Sequence, residues 1–197
     1  MNTNVRKDTR NLVITGLMLS LTLILTFTPL GFIQVPPISI TIMHLPVIIA
    51  GIIAGPVSGF IVGLGMGLAS MFRALTSANI ADKLFVNPLI SVMPRIFIGI
   101  TAYYSYTLIR TLLLKLKQSE LLRGGLAAIV GALVGTLTNT VLVLSMIYIF
   151  MYSKDMALFD FILVAVTINI ALELVAAVFV CVPIVVIIER QQRGKYD

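Results

Sequence analysis

The amino-acid sequence predicts an all-α membrane protein, a bundle of six transmembrane helices with both termini cytoplasmic. Three observations predict it: a very apolar composition, a series of apolar runs separated by short breaks, and an uneven distribution of basic residues. Of the 197 residues, 59% are hydrophobic and 11% charged, against about 45–50% apolar in soluble domains, and the mean hydropathy is +1.08. Water cannot be the main solvent of such a chain. One crossing takes about 20 apolar residues, so the length holds six or seven spans with short loops, and residues 1–197 are expected to form a single membrane domain.

The first helix is expected over residues 11–28. Arg6, Lys7 and Arg10 before it resemble the basic start of a signal peptide, but the run closes at Thr28-Pro29 without a small-x-small cleavage site, so it is expected to be retained. Pro29 stops it, because a proline disfavours helix for the residue before it. Residues 30–39, uncharged and carrying Pro36-Pro37, read as a stiff loop. The second helix is expected over 40–54 and the third over 57–72, with Gly55-Pro56 making a tight break between them; both are short and suit one bent hairpin.

A polar stretch runs from Arg73 to Asn87 and carries Asn79, Asp82 and Lys83, which suits a surface loop with room for function. The fourth helix is expected over 88–116, opening on Pro88 at a favourable first-turn position and containing Pro94 and Arg95. The fifth is expected over 125–152 and the sixth over 161–188. Six spans put both termini on one side. Arg6, Lys7, Arg10, Arg110, Lys115, Lys117, Arg123, Arg190, Arg193 and Lys195 fall on that side, ten in all, against Arg73, Lys83 and Lys154 opposite. Basic residues collect on the cytoplasmic side, so the loops after the first, third and fifth helices are expected to face outward.

The net charge of +6 comes from these clusters beside apolar runs, as juxtamembrane anchors require, and implies no nucleic-acid partner. Cys181 is the single cysteine and lies in an apolar run, so neither an intrachain disulfide nor a thiolate metal cluster can form. Nothing matches the Gly-x-x-x-x-Gly-Lys-[Ser/Thr] phosphate cradle, and no His/Glu cluster has metalloprotease spacing. No catalytic residue, metal or cofactor is therefore expected. If the protein moves a substrate uphill with ATP, another chain must supply the motor.

Polar groups in the apolar runs carry the functional expectation: Arg95 in the fourth helix, Asn139 in the fifth, and Asn169 with Glu173 in the sixth. Ionisable groups at bilayer depth cost several kcal/mol unless paired or wetted. At about 1.5 Å per residue, Arg95 lies roughly 10 Å below the outer end of its helix, and Asn139 and Glu173 roughly 20 Å below theirs. The three suit one cavity open to the outside. Asn169 and Glu173, four residues apart, share a helix face. A guanidinium in a partly dehydrated pocket matches bidentate capture of a carboxylate or phosphate. The competing reading makes Arg95 and Glu173 a buried ion pair and the asparagines interhelical glue. His44, at the outer start of the second helix, suits either packing or substrate contact.

Gly59, Gly63 and Gly67 recur every four residues along the third helix and suit close helix packing. Gly16 and Ser20 make another small-residue pair on the first helix, which need not be surrounded and so can meet a second protein.

These features resemble the substrate-binding S components of energy-coupling factor (ECF) transporters, small six-helix membrane proteins that bind vitamins and join a shared energising module. The segment His44-Leu45-Pro46-Val47-Ile48-Ile49-Ala50-Gly51, then Gly55-Pro56 and Gly59, is similar to the family's hairpin of second and third helices. Asn87-Pro88-Leu89-Ile90-Ser91, Pro94-Arg95-Ile96, Thr138-Asn139-Thr140, and Asn169 with Glu173 resemble most the pantothenate-specific branch.

The resemblance implies a vitamin substrate, pantothenate first, in a bacterial plasma membrane, bound by Arg95, Asn139, Thr140, Asn169, Glu173, Asn87 and His44. It also implies a membrane T component and two ATP-binding subunits as partners, with docking at Gly16 and Ser20 where the family commonly carries an Ala-xxx-Ala pair. Pantothenate offers one carboxylate to Arg95 and an amide and two hydroxyls to the remaining polar groups. Folate, riboflavin, pyridoxine and hydroxymethylpyrimidine stay open as substrates. A stand-alone secondary transporter is a rival reading, but its usual inverted repeats are not found; an intramembrane enzyme and a structural scaffold are the others.

Overall fold

The computed structural model describes residues 3–35, 38–76, 83–117, 119–151 and 156–193. The expectations placed on Pro36-Pro37, on Asn79 and Asp82, and on Lys154 and Lys195 lie outside the described residues. Among the described residues six principal helices are present: α1 (Thr3–Phe27), α2 (Leu45–Ala54), α3 (Pro56–Thr76), α4 (Met93–Lys115), α5 (Glu120–Met151) and α6 (Met156–Arg193). Among the described residues, five stretches are long and apolar enough to cross a membrane, in α1, α3, α5, α6 and in Pro88–Lys115, which contains α4. Helix α2 has ten residues, about 15 Å of helix, so it spans about half of a hydrocarbon core of about 30 Å.

Helix α2 is the axis of the bundle, touching α1, α3, α4, α5 and α6. Its sequence, Leu-Pro-Val-Ile-Ile-Ala-Gly-Ile-Ile-Ala, is apolar all round, and nine of its residues are buried, as expected of a helix with no polar face. Gly55 ends it at φ +98°, a conformation that costs glycine little, and the chain turns directly into α3. Three helices then meet at glycines: a Cβ on Gly59 would lie 2.8 Å from the Gly99 Cα and 3.0 Å from the Gly51 Cα. Backbones this close gain dispersion contacts that lipid cannot match. The glycine stripe continues along α3, with Gly63 against the Arg95 backbone and a Cβ on Gly67 placed 2.6 Å from the Val92 Cα.

Several helices run beyond the expected apolar limits: α1 begins at Thr3, α5 at Glu120, and α6 covers Met156–Arg193. Apolar runs mark the membrane segment, whereas polar residues of good helix propensity carry the helix past it. Two local expectations change. The stretch expected as a stiff loop, and the start expected for the second helix, contain an antiparallel hairpin, β1 (Phe32–Val35) with β2 (Ile38–Thr41), Phe32 opposite Thr41. Alternation rich in Ile, Val and Thr favours strand there, so among the described residues the bundle is all-α except for these two four-residue strands.

The second change is at the fourth helix, which is broken. A one-turn helix, Pro88–Ser91, precedes Val92 and α4. Pro94 has no N–H to donate four residues back, and its ring crowds that carbonyl. At the other end of the bundle, the Tyr106 hydroxyl donates to Glu189 Oε1, and Arg110 pairs with the same carboxylate oxygen at 2.9 Å, tying α4 to α6.

Candidate functional site

The break at Pro94 builds the site. The Ile90 carbonyl, which residue 94 would satisfy in an unbroken helix, instead accepts a hydrogen bond of 2.5 Å from Arg95 Nη1. Ser91 Oγ donates to the Gly67 carbonyl at 2.8 Å and ties the broken turn to α3. Asn87 Oδ1 accepts from the Leu89 N–H at 3.0 Å, which makes Asn87 the cap of the one-turn helix. Phe85, in the 3₁₀ turn Leu84–Val86, lies under the Arg95 guanidinium with its ring centroid 4.8 Å away. Arg95 is thus held on two sides and is only 7% exposed.

A cavity of about 130 Å³ opens beside this guanidinium. Its wall comes from Thr41, Met43 and His44 ahead of α2, from Met66, Ser70, Arg73 and Ala74 on α3, and from Phe85, Arg95 and Asn139. Met66, Ser70 and Arg73 recur at helical spacing and so share one face of α3. Four buried polar atoms of the wall have no hydrogen-bond partner among the described residues: His44 Nδ1, Ser70 Oγ, Arg95 Nε and Asn139 Oδ1. Orphaned buried polar atoms are uncommon in folded proteins. Here four share one cavity. His44, 1% exposed, is oriented by Thr136, whose Oγ1 lies 3.2 Å from the imidazole Nε2.

Of the residues expected to bind substrate, the fold brings Arg95, Asn139 and His44 to this cavity. Glu173 is 8% exposed and stands behind the wall, accepting from the Thr41 N–H at 3.1 Å and from the Thr41 hydroxyl. No ion pair joins it to Arg95 among the described residues. Asn169, one turn before Glu173, has an unpartnered buried Oδ1 but does not line the cavity, and Thr140 donates to the Thr136 carbonyl at 3.3 Å. Thr41, Ser70, Arg73 and Phe85 were not expected to bind substrate; Arg73 and Phe85 fall in the 73–87 stretch expected as a surface loop with room for function, but Arg73 stands in α3 and Phe85 in a 3₁₀ turn. The face shared by Met66, Ser70 and Arg73 was the available signal, since it turns polar only toward the end of α3. Gly16 and Ser20 are exposed on α1; a Cβ on Gly16 would meet nothing within 4 Å, and Ser20 Oγ donates to the Gly16 carbonyl at 2.9 Å.

A family model for the substrate-specific component of ECF transporters matches residues 10–185. The chain belongs to this family. An ECF substrate-specific component is a multi-pass membrane subunit of a transporter rather than an enzyme, and it partners in the membrane with a T component and ATPases. Comparison with individual curated proteins finds no match. In this ECF component the match takes in the helices around the cavity, from α1 to most of α6.

Proposed function

We propose that this ECF component captures a carboxylated water-soluble vitamin, pantothenate, from outside a bacterial cell and hands it to an importer driven by two ATP-binding subunits. The carrying observation is the buried guanidinium of Arg95 in the cavity wall, with no acidic residue in that wall and no ion pair to Arg95 among the described residues. A buried cation without a carboxylate partner is costly, and a substrate carboxylate at Arg95 removes that cost. The amide and hydroxyls of pantothenate match Asn139 Oδ1, Ser70 Oγ and His44 Nδ1, groups of mixed donor and acceptor capacity. The ten-to-three bias of basic residues supports cytoplasmic termini, which turns the cavity outward. The exposed Gly16 and Ser20 face supports docking on the T component.

Equilibrium binding to purified protein in detergent tests the substrate, with radiolabelled pantothenate and with folate, riboflavin, pyridoxine and hydroxymethylpyrimidine as competitors. The expected result is one-to-one pantothenate binding, with Arg95→Ala losing about 2–5 kcal/mol. Pantothenate affinity unchanged in Arg95→Ala, or displacement by riboflavin in place of pantothenate binding, overturns the carboxylate assignment.

A further inference from the structure

Glu173 is a buried acidic side chain bonded to a residue of the cavity wall, Thr41, and the proposed substrate contacts give it no task. It is buried in the middle of α6 and does not line the cavity. Its Oε1 accepts both the backbone N–H and the hydroxyl of Thr41, a residue 132 positions away in sequence. Thr41 is the last residue of β2 and lines the cavity itself, and two further wall positions, Met43 and His44, follow it before α2 begins at Leu45. This connection has no regular structure of its own. It is also held by the Ile42 N–H on the Gly31 carbonyl and the Leu45 N–H on the Ile42 carbonyl, both at 3.1 Å, by the contact of His44 with Thr136, and by the burial of Met43 and His44.

We infer that Glu173 is a positioning residue, fixing the Thr41–His44 segment as one wall of the vitamin cavity without touching the vitamin. A carboxyl oxygen that accepts a backbone N–H and a hydroxyl together fixes both groups, and burial in a low-dielectric bundle strengthens such bonds. The arrangement serves two ends. It anchors the loop that presents His44, and it turns the carboxyl group of Glu173 to Thr41 rather than into the cavity. The role rests on the vitamin-binding reading above, but its structural half can be measured without any vitamin.

Hydrogen exchange read by mass spectrometry on the substrate-free protein in detergent is the first arm. Glu173→Leu is expected to speed exchange of the Thr41–Leu45 amides by about tenfold or more, since local opening sets exchange in such segments, with α3 and α4 unchanged. Glu173→Gln, which keeps an acceptor oxygen, is expected to restore protection. The second arm is pantothenate binding: Glu173→Leu is expected to weaken it by about tenfold through faster dissociation, Glu173→Gln by less than about threefold, and Thr41→Val with Glu173→Leu no more than Glu173→Leu alone.

Unchanged exchange in Glu173→Leu overturns the inference. So does a Glu173→Gln variant that loses as much affinity as Glu173→Leu while its amides stay protected, because that outcome means direct substrate contact. If Glu173→Leu does not fold, Thr41→Val against Thr41→Ser asks the same question, with faster exchange expected in the valine variant alone and equal exchange in both overturning the role. Failure of wild-type protein to bind pantothenate would remove the substrate reading and leave the exchange result to decide the role of Glu173.

Discussion

Arg95 gathers most of the chemistry into one side chain. One nitrogen is occupied by the Ile90 carbonyl, the face by Phe85, and Nε has no partner among the described residues. The planar fork therefore has one edge committed to the protein and another toward the cavity, a division that a point charge cannot reproduce. Arg95→Lys is expected to lose pantothenate affinity by roughly tenfold or more, checked by titration calorimetry. Phe85→Leu removes the ring beneath the guanidinium and is expected to cost about 0.5–2 kcal/mol of binding, while Phe85→Tyr keeps the ring and the affinity. Equal losses in the leucine and tyrosine variants would show that the ring face is not what holds Arg95.

Among the elements, the break before α4 and the glycine contact of α2, α3 and α4 make opposite demands. The break needs a missing N–H. Pro94→Ala supplies an N–H able to bond the Ile90 carbonyl in a continued helix, in competition with Arg95 Nη1. The expected outcome is a protein at least as heat-stable as the wild type that binds pantothenate more weakly; unchanged binding would mean that the break does not set the guanidinium. The glycine contact needs missing side chains. Gly59→Ala places a Cβ 2.8 Å from the Gly99 Cα, where only backbone can yield, and overpacking of this kind costs about 1–3 kcal/mol. Gly16→Ala meets nothing within 4 Å, so thermal unfolding in detergent is expected to shift for Gly59→Ala and not for Gly16→Ala.

For the whole molecule, the question is how a subunit without a nucleotide cradle is coupled to ATP. Reconstituted alone, the chain is expected to bind pantothenate without accumulating it, and uphill uptake by vesicles holding only this chain would favour a secondary transporter. Lipid already satisfies an apolar helix face, so only close backbone approach favours a protein neighbour. Gly16→Trp and Ser20→Trp are therefore expected to abolish co-purification with the T component while leaving pantothenate affinity intact. Loss of both properties, or of neither, would remove Gly16 and Ser20 from the docking surface.

Composition and the spacing of prolines and glycines were sufficient to predict a helical membrane bundle, because apolar runs of span length have few alternatives in lipid. The same reading marked Arg95, Asn139 and Glu173, since a polar group in an apolar run stands out from its neighbours. It did not yield the pairing of Phe32–Val35 with Ile38–Thr41, because alternation there favours strand but pairing is a contact between two segments. Nor could it rank the polar groups by distance. Arg95 and Asn139 share a cavity with His44, Ser70 and Arg73, whereas Glu173 turns to Thr41 and Asn87 caps its own helix. Pattern along a chain reports which side chains water would shun or hold, a property of each residue and its near neighbours. Which of them meet is set by the close approach of helix backbones at Gly51, Gly59 and Gly99, a packing outcome that only the folded bundle decides.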